Sequence, residues 1–376
     1  MSPTIRVLGR TLPAFQLCGT IGWIAGISLA LALTAHQGLP LWGTGVLAVG
    51  ALVTFPALVM AVKIVTGEEN IVYYHHEIAV VAVSMLTLWL LSLPLLPYLD
   101  AVFMGLGLFL ACGRIGCFLV GCCHGRPSSW GVCYGADHAH AGFAPELVGV
   151  RLVPIQLVEA VFVAATVTVG TVMVLRDAVP GSALAFYSIV YGVARCVFEI
   201  FRGDDVRPYW RGGSEAQWTS LIVMAVVLGL SQRWPVPFGA WLLVTTLGLG
   251  VVLLGSALTD GPRRHLFSPR HVSELARLLE LTHANVEATG RLQVARTSLG
   301  LRVSASTIHD GQRWLDVFAV SKENDRLDDR TARKLARLIA RLRRAVAEGV
   351  VTRGAHGVYH VIVPATAPVQ ALAHAV

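Results

Sequence analysis

The sequence has little charge. Asp, Glu, Lys and Arg make up 14% of its 376 residues and hydrophobic residues make up 55%, whereas an average soluble domain is roughly 25% charged. No charged residue occurs between Arg10 and Lys63. This scarcity excludes an ordinary soluble protein over most of the chain and indicates a membrane protein.

Other common sequence features are also absent. There is no internal repeat and no low-complexity segment. The seven cysteines form no C-x2-C pair with a second pair at zinc-finger distance. The basic stretches lack interleaved aromatic residues, so nucleic acid is not an expected partner.

Long uncharged runs predict the membrane helices. The run between Arg10 and Lys63 has room for two helices of about 20 residues, with a turn near Gln37 to Pro40. The first of these helices follows Arg6 and Arg10, but its apolar run exceeds that of a signal peptide, so we predict a retained helix. Six further spans bring the count to eight: those between Glu77 and Asp100, Glu159 and Arg176, Asp177 and Arg195, Glu215 and Arg233, and Arg233 and Asp260, together with 101–120, which only Arg114 interrupts.

The composition changes after Asp260. Residues 261–376 hold 18 Lys and Arg against 10 Asp and Glu, so this tail is basic. Ser268 and Pro269 open one helical pattern, and a second helical pattern follows Asp328. Three other stretches alternate between hydrophobic and polar residues, as β-strands do. They are "LQVARTSLGLRVSAS", "WLDVFAV" and "VYHVIV". We predict an all-α polytopic membrane protein with about seven or eight transmembrane helices over 1–260, then a small soluble α+β domain of order α, β, β, α, β over 261–376.

Ionisable residues inside the predicted spans are candidate functional residues, because isolated charge in hydrocarbon is costly. Arg114 lies late in the fourth span. "YGVARCVFEIFR" places Arg195, Glu199 and Arg202 along one helix face. Glu199 can balance only one of the two arginines beside it, and an unbalanced guanidinium suits a phosphate. An internal ion pair is the alternative.

Four motifs resemble those of the bacterial prolipoprotein diacylglyceryl transferases. The family signature GRxGNFxNxExxGR matches at Gly113, Arg114, Gly116, Phe118, Gly125 and Arg126. Its RHPSQLYE stretch matches at Pro154, Gln156, Leu157 and Glu159, with Arg151 one residue out of register, and its YGxxRxxxExxR helix at Tyr191, Gly192, Arg195, Glu199 and Arg202. The family's histidine after an aromatic pair aligns with His75, which follows Tyr74.

The chain also departs from the family pattern. Cys117 and Val120 stand where the signature has asparagines, and Cys122 stands where it has glutamate. Val153 replaces the histidine before the proline. These changes leave open a divergent member that uses another acceptor, or a membrane thiol-redox or metal-handling protein on the same scaffold. A membrane anchor or sensor whose tail carries the function is a third hypothesis.

The resemblance implies a multi-pass enzyme of the bacterial plasma membrane. It would move a diacylglyceryl group from phosphatidylglycerol, or a related anionic phospholipid of the bilayer, to the lipobox cysteine thiol of a lipoprotein precursor peptide. It implies no cofactor and no metal. The implied catalytic residues are His75 as base, with Arg114 and Arg195 stabilising the phosphate. The implied substrate-binding residues are Tyr74, Gly116, Cys117, Gly125, Arg126, Gln156, Glu159, Tyr191, Glu199 and Arg202.

The cysteines of "GRIGCFLVGCCHGRPSSWGVCYG" have several interpretations. Adjacent Cys122 and Cys123 are not expected to reach one tetrahedral metal together. A disulfide from either of them to Cys133 would suit an oxidising compartment. Cys117 could be a nucleophile between arginines, and small apolar packing is the remaining alternative.

Two sequence features point to opposite sides of the membrane for the tail. Eight spans put the tail on the side of the N-terminus, which the resemblance places outside. Arg263 and Arg264, just beyond the last span, favour the cytoplasm. The basic helix after Asp328 fits either a solvated face or contact with anionic lipid headgroups.

Overall fold

The computed structural model describes the chain apart from residues 8, 68–72, 233–237, 260–264, 324, 346–348 and 365–376. A hairpin of β1 (Thr4–Val7) and β2 (Arg10–Pro13) leads into the helices. These are α1 (Ala14–His36), α2 (Leu41–Thr66), α3 (Tyr73–Leu90), α4 (Leu95–Val120), α5 (Ala136–His140), α6 (Ile155–Leu175), α7 (Ser182–Phe201), α8 (Glu215–Leu230) and α9 (Gly239–Leu258).

Helices form in each of the eight predicted spans. Within the described residues, α1, α2, α4, α6, α7 and α9 are long and apolar enough to cross a membrane, and α3 and α8 are shorter apolar helices. A chain in hydrocarbon must satisfy its backbone hydrogen bonds internally, so apolar runs of this length become helices. The predicted turn before Leu41 is also confirmed, as is the polytopic fold class.

The bundle is built around α4. This helix packs against α1, α6 and α7. Gly26 of α1 faces Gly105 of α4 so closely that a Cβ on either residue would overlap the carbonyl oxygen of the other. Small residues allow helices to pack this closely in a membrane, where the hydrophobic effect does not drive helix association because the lipid is itself apolar. The tight contact fixes α4, which carries Arg114 and Cys117.

The segments that follow α4 and α7 meet at one end of the bundle. The first segment contains β3 (Pro127–Val132), α5 and a short 3-10 turn (Pro145–Leu147), and the second contains β4 (Tyr209–Trp210) and β5 (Gly213–Ser214). Gly125 forms a β-bridge with Arg202 across them. The bridge brings the two signature-bearing chain segments side by side.

The tail is an α+β unit, as predicted. Its elements are α10 (Pro269–Thr289), β6 (Val294–Arg296), β7 (Leu301–His309), β8 (Trp314–Lys322), α11 (Asp329–Leu342), β9 (Val350–Arg353) and β10 (Tyr359–Pro364). The sheet is antiparallel with order β6-β7-β8-β10-β9. The hydroxyl of Ser268 caps α10 and the carboxylate of Asp328 caps α11.

The predicted strand order is wrong in two places. The stretch "LQVARTSLGLRVSAS" forms two strands, because Gly300 takes φ +75° and its amide donates to the carbonyl of Thr297 at 2.9 Å. The edge strand β9 was missed, because its residues are mostly exposed and carry no strong alternation. The observed order is α, β, β, β, α, β, β.

The tail shares a hydrophobic core with the segment after α4. Tyr134, Leu147 and Leu152 of that segment pack with buried residues of the tail such as Leu275 and Leu338. The Nε of Arg277 lies 2.6 Å from the Glu146 carboxylate. The predicted domain boundary at 260/261 lies outside the described residues. The packing puts the tail at the same end of the bundle as the loops after α4 and α7.

Candidate active site

Glu159 is at the centre of a buried charge cluster. Its carboxylate lies 2.9 Å from Nε of Arg114 and 3.7 Å from Nη1 of Arg195, and it accepts a hydrogen bond from the Tyr191 hydroxyl at 2.8 Å. The Glu159 side chain is 1% exposed. One carboxylate of α6 therefore joins α4 to α7.

The cluster continues along α7 into the following loop. Nη2 of Arg195 lies 2.5 Å from Glu199, which also pairs with Arg207. Arg202 forms a bidentate pair with Asp204 at 2.9 and 3.0 Å. The sequence predicted that Glu199 would balance only one of Arg195 and Arg202 and leave the other guanidinium unbalanced. That expectation is wrong, because the carboxylate of Asp204 balances Arg202.

The loop carboxylate of Asp204 is held ionised. Burial is the largest single influence and raises its pKa, but the charge and hydrogen bonds of Arg202 together with the charge of Arg207 hold the pKa below its ordinary value. Asp204 and Arg207 were missed at the sequence level. The charged run "RGDDVR" directly after the α7 helix is the signal that could have identified them.

Three guanidiniums of the cluster have buried donors without a hydrogen bond among the described residues; Nε of Arg114 is one, but it lies 2.9 Å from the Glu159 carboxylate as an ion pair. Nε and Nη1 of Arg195 and Nη1 of Arg202 are buried and have no hydrogen-bond partner among the described residues. Both side chains are 1% exposed. A buried donor without an acceptor is costly, so these groups suit an oxyanion brought by a ligand.

Tyr74 and His75, the two predicted site residues of α3, lie in different places. The Tyr74 hydroxyl lies 2.8 Å from the Ser220 hydroxyl, and its ring lies 5.9 Å from the guanidinium carbon of Arg195. His75 is 47% exposed and its Nε2 lies 2.7 Å from Glu215 of α8. Tyr74 therefore lines the arginine cluster, while His75 lies at the bundle end beside it.

The remaining predicted site residues have backbone or packing contacts. Nε2 of Gln156 donates to the carbonyl of Cys122 at 2.9 Å. Nε of Arg126 donates to the carbonyl of Arg202 at 3.2 Å. Gly125 lies so close to the backbone of Val153 that a Cβ would overlap it, whereas Gly116 packs against Phe15 and Cys18 of α1. Gln156, Gly125 and Arg126 thus support the loops around the cluster, and Gly116 supports the bundle.

Three cysteines meet at the end of α4. The Sγ atoms of Cys117, Cys122 and Cys123 all lie within 4.8 Å of one another. The adjacent Cys122 and Cys123 bring their sulfurs close to Cys117 because Gly121 and Cys123 take φ +89° and +55° and fold the chain back. All seven cysteines are free thiols, so the disulfide to Cys133 is not formed.

The cysteine cluster borders the arginine cluster. Thiol hydrogen bonds from Cys117 and Cys122 hold the pKa of Cys123 well below its ordinary value, with burial opposing them. The guanidiniums of Arg202 and Arg114 act in the same direction. Negative charge is therefore stabilised on the Cys123 sulfur, whereas hydrogen bonds with the other two thiols, together with burial, raise the pKa of Cys122.

A basic cavity lies where the tail meets the loops. Its volume is about 220 Å³, and its cations are Arg126 of the signature and Lys334, Arg337 and Arg341 of α11. Phe267, Pro269 and Leu338 add apolar wall, and among the described residues no Asp or Glu lines the cavity. The basic cavity adjoins Gly203, which follows Arg202 in the chain.

Comparison with known proteins identifies relatives for the helical part. Residues 71–232 match a family model described as prolipoprotein diacylglyceryl transferase. The phosphatidylglycerol–prolipoprotein diacylglyceryl transferase of Clostridium tetani is 33% identical over 109 residues, which cover 29% of this chain and 42% of that protein. The phosphatidylglycerol–prolipoprotein diacylglyceryl transferase 2 of Clostridium perfringens is 34% identical over 110 residues, covering 28% and 40%.

The chain thus spans about two fifths of the length of these curated relatives. The matched region contains α4, α6 and α7 with the whole arginine and cysteine clusters, whereas α1, α9 and the tail lie outside it. The resemblance read from the motifs is therefore confirmed, and residues 71–232 of this membrane protein are related to the prolipoprotein diacylglyceryl transferases.

Proposed function

We propose that this protein is a membrane transferase that moves a diacylglyceryl group from phosphatidylglycerol to the thiol of a prolipoprotein lipobox cysteine. The observation that carries the proposal is the set of unused, buried donors on Arg195 and Arg202 within the family-matched region. The names of the two clostridial relatives support this donor and acceptor. The bacterial plasma membrane is the compartment that the family implies.

The reaction makes one bond and breaks one bond. The acceptor thiol loses its proton and its sulfur forms a bond to the lipid glycerol carbon. The carbon–oxygen bond to the phosphate breaks, and glycerol 1-phosphate leaves with that electron pair. Charge therefore grows on the phosphate, where fixed guanidinium donors in a dry site lower the barrier.

The residues take separate roles in this proposal. Arg195 and Arg202 donate to the phosphate oxygens, and Arg114 is held beside them through Glu159. Tyr74 closes the cluster on the α3 side. His75 is the proposed base, and its contact with Glu215 holds the ring at the bundle end.

The basic cavity supports an anionic phospholipid as partner. Four cations around about 220 Å³, with apolar wall and no carboxylate among the described lining residues, suit the phosphate of a headgroup. Because the cavity shares Arg126 with the signature, we propose that a headgroup docks there beside the arginine cluster. In this proposal the basic face of α11 contacts an anionic lipid headgroup and is not only a solvated face.

The test is transfer in vitro by the full chain in detergent, from labelled phosphatidylglycerol to a lipobox peptide. Arg195→Gln and Arg202→Gln should each lose about 100-fold or more in rate, because each removes charge at the phosphate. Arg176→Gln, an exposed arginine at the other end of α6, is the matched control and should retain activity.

The thermal unfolding of each variant is measured beside its rate, so that loss of fold is separated from loss of chemistry. A wild-type protein that transfers to a small-molecule thiol but not to the peptide would point to the divergent family member with another acceptor. Full activity of folded Arg195→Gln would contradict the phosphate role.

A further inference from the structure

The three sulfurs of Cys117, Cys122 and Cys123 form a preassembled ligand set. They lie within 4.8 Å of one another, and sulfurs bound to one tetrahedral zinc at about 2.3 Å each lie about 3.8 Å apart. Small rotations about the side-chain torsions close that difference. Cys117 is buried in the last turn of α4, while Cys122 is exposed, so an ion has a path from solvent.

We propose that Cys117, Cys122 and Cys123 bind a thiophilic divalent cation of the Zn²⁺ class, with the fourth coordination position open. Three thiolates select a soft or borderline metal over Mg²⁺ or Ca²⁺. Three thiolates on a divalent ion leave one negative charge. The neighbouring guanidiniums of Arg114 and Arg202 stabilise that charge, although each is also paired with a carboxylate. This differs from the expectation of no metal drawn from the sequence.

The turn after α4 is shaped for this cluster. Gly121 and Cys123 are both in the left-handed region, which a non-glycine residue adopts only when its surroundings impose it. The carbonyl of Cys122 is held by Gln156 at 2.9 Å. This turn therefore directs the adjacent side chains of Cys122 and Cys123 toward the sulfur of Cys117.

The open position gives the ion a role in the proposed transfer, and this step rests on the proposed function. A thiol that binds the ion loses its proton, which the proposed base His75 accepts, and stays nucleophilic as a thiolate. Its sulfur then forms the bond to the lipid carbon while the carbon–oxygen bond to phosphate breaks. We infer that the acceptor class is a thiol that becomes the fourth ligand.

The test is cobalt binding to the reduced, chelator-treated full chain in detergent. Tetrahedral Co²⁺ with three thiolates gives intense visible bands and sulfur-to-metal charge-transfer absorption in the near ultraviolet. We expect one Co²⁺ per chain, displaced by Zn²⁺. Cys122→Ser, at an exposed position, should weaken binding at least about tenfold, and Cys117→Ser and Cys123→Ser should do the same.

Cys133→Ser is the matched control, since Cys133 is exposed and is not a member of the cluster. Its affinity for Co²⁺ should equal that of the wild type. Absence of the charge-transfer bands in wild type with all thiols reduced, or equal affinity of folded Cys122→Ser, would overturn the site. A disulfide between two of the three cysteines, seen as lost thiols before reduction and no metal afterwards, would also overturn it.

Binding and transfer are scored separately, so the two proposals fail in different ways. Cobalt binding without transfer to any thiol would refute the proposed function and leave the metal site standing. Equal transfer rates with and without the ion would refute the acceptor role. A lipobox peptide should shift the Co²⁺ spectrum, whereas the same peptide with serine in place of its cysteine should not.

Discussion

Replacing Glu159 by glutamine should strongly destabilise the bundle. The change keeps the shape of the side chain but removes the charge that lies 2.9 Å from Arg114 and 3.7 Å from Arg195. Two guanidiniums then remain buried with one carboxylate fewer. Removing one partner of a buried ion pair costs about 3–5 kcal/mol, and we expect the lower end because glutamine can still accept from Tyr191.

The measurement is denaturant unfolding of the full chain in detergent. Glu280→Gln is the control, because Glu280 is 45% exposed and pairs with Arg344 at 3.6 Å, so it should cost under about 1 kcal/mol. The double variant Arg114→Met with Glu159→Gln should lose less than the sum of the single variants, since the unpaired charge is removed as well. Equal stability of Glu159→Gln and Glu280→Gln would refute the reasoning.

Three further predictions concern the tail and the loops. Asp316 accepts from His283 at 3.0 Å and from Arg343 at 3.1 Å, and although burial would raise its pKa, these partners lower it below 3.8. The ionised Asp316 carboxylate therefore stabilises the fold above about pH 3.8, and this stabilisation is lost as the pH falls through the lower folded-state pKa. In unfolding scans, Asp316→Asn should be less stable than the wild type at pH 7, and its stability should depend less on pH in the acid range. A stability–pH curve identical to that of the wild type would contradict this. Lys334→Glu should raise the KM for anionic lipid in mixed micelles without changing kcat, an effect that vanishes in high salt, whereas an unchanged KM would argue against the headgroup site. Gly203→Ala should destabilise by about 1–3 kcal/mol in the same unfolding assay, because the new Cβ would overlap the carbonyl oxygen of Gly125; wild-type stability would show that the loops can separate freely.

Much of the fold could be predicted because the signals were local. An uncharged run in hydrocarbon has one stable backbone arrangement, so the eight spans became helices. The spacing of Arg195 and Glu199 placed them on one helix face, and they pair as i, i+4 neighbours. The edge strand β9 carried no such local signal and was missed.

Most members of the charge cluster could be predicted from the sequence, but their pairing could not. Arg114, Glu159, Arg195 and Arg202 were identified from their motifs, and Arg114 and Arg195 meet at Glu159. Which carboxylate balances which guanidinium depends on how α4, α6 and α7 pack. Asp204 entered the cluster because the loop after α7 folds back on Arg202.

The sequence alone determined the membrane helices, the basic tail and the residue types of the site, because hydropathy, charge and spacing act along the chain. Tertiary structure alone decided that the tail packs on the loop after α4, that Arg126 shares a cavity with α11, and that three sulfurs converge. These are contacts between segments far apart in the chain, or the product of left-handed turns at Gly121 and Cys123. The interaction energy of each contact depends on the distance between its atoms, and that distance is fixed only when the segments pack together.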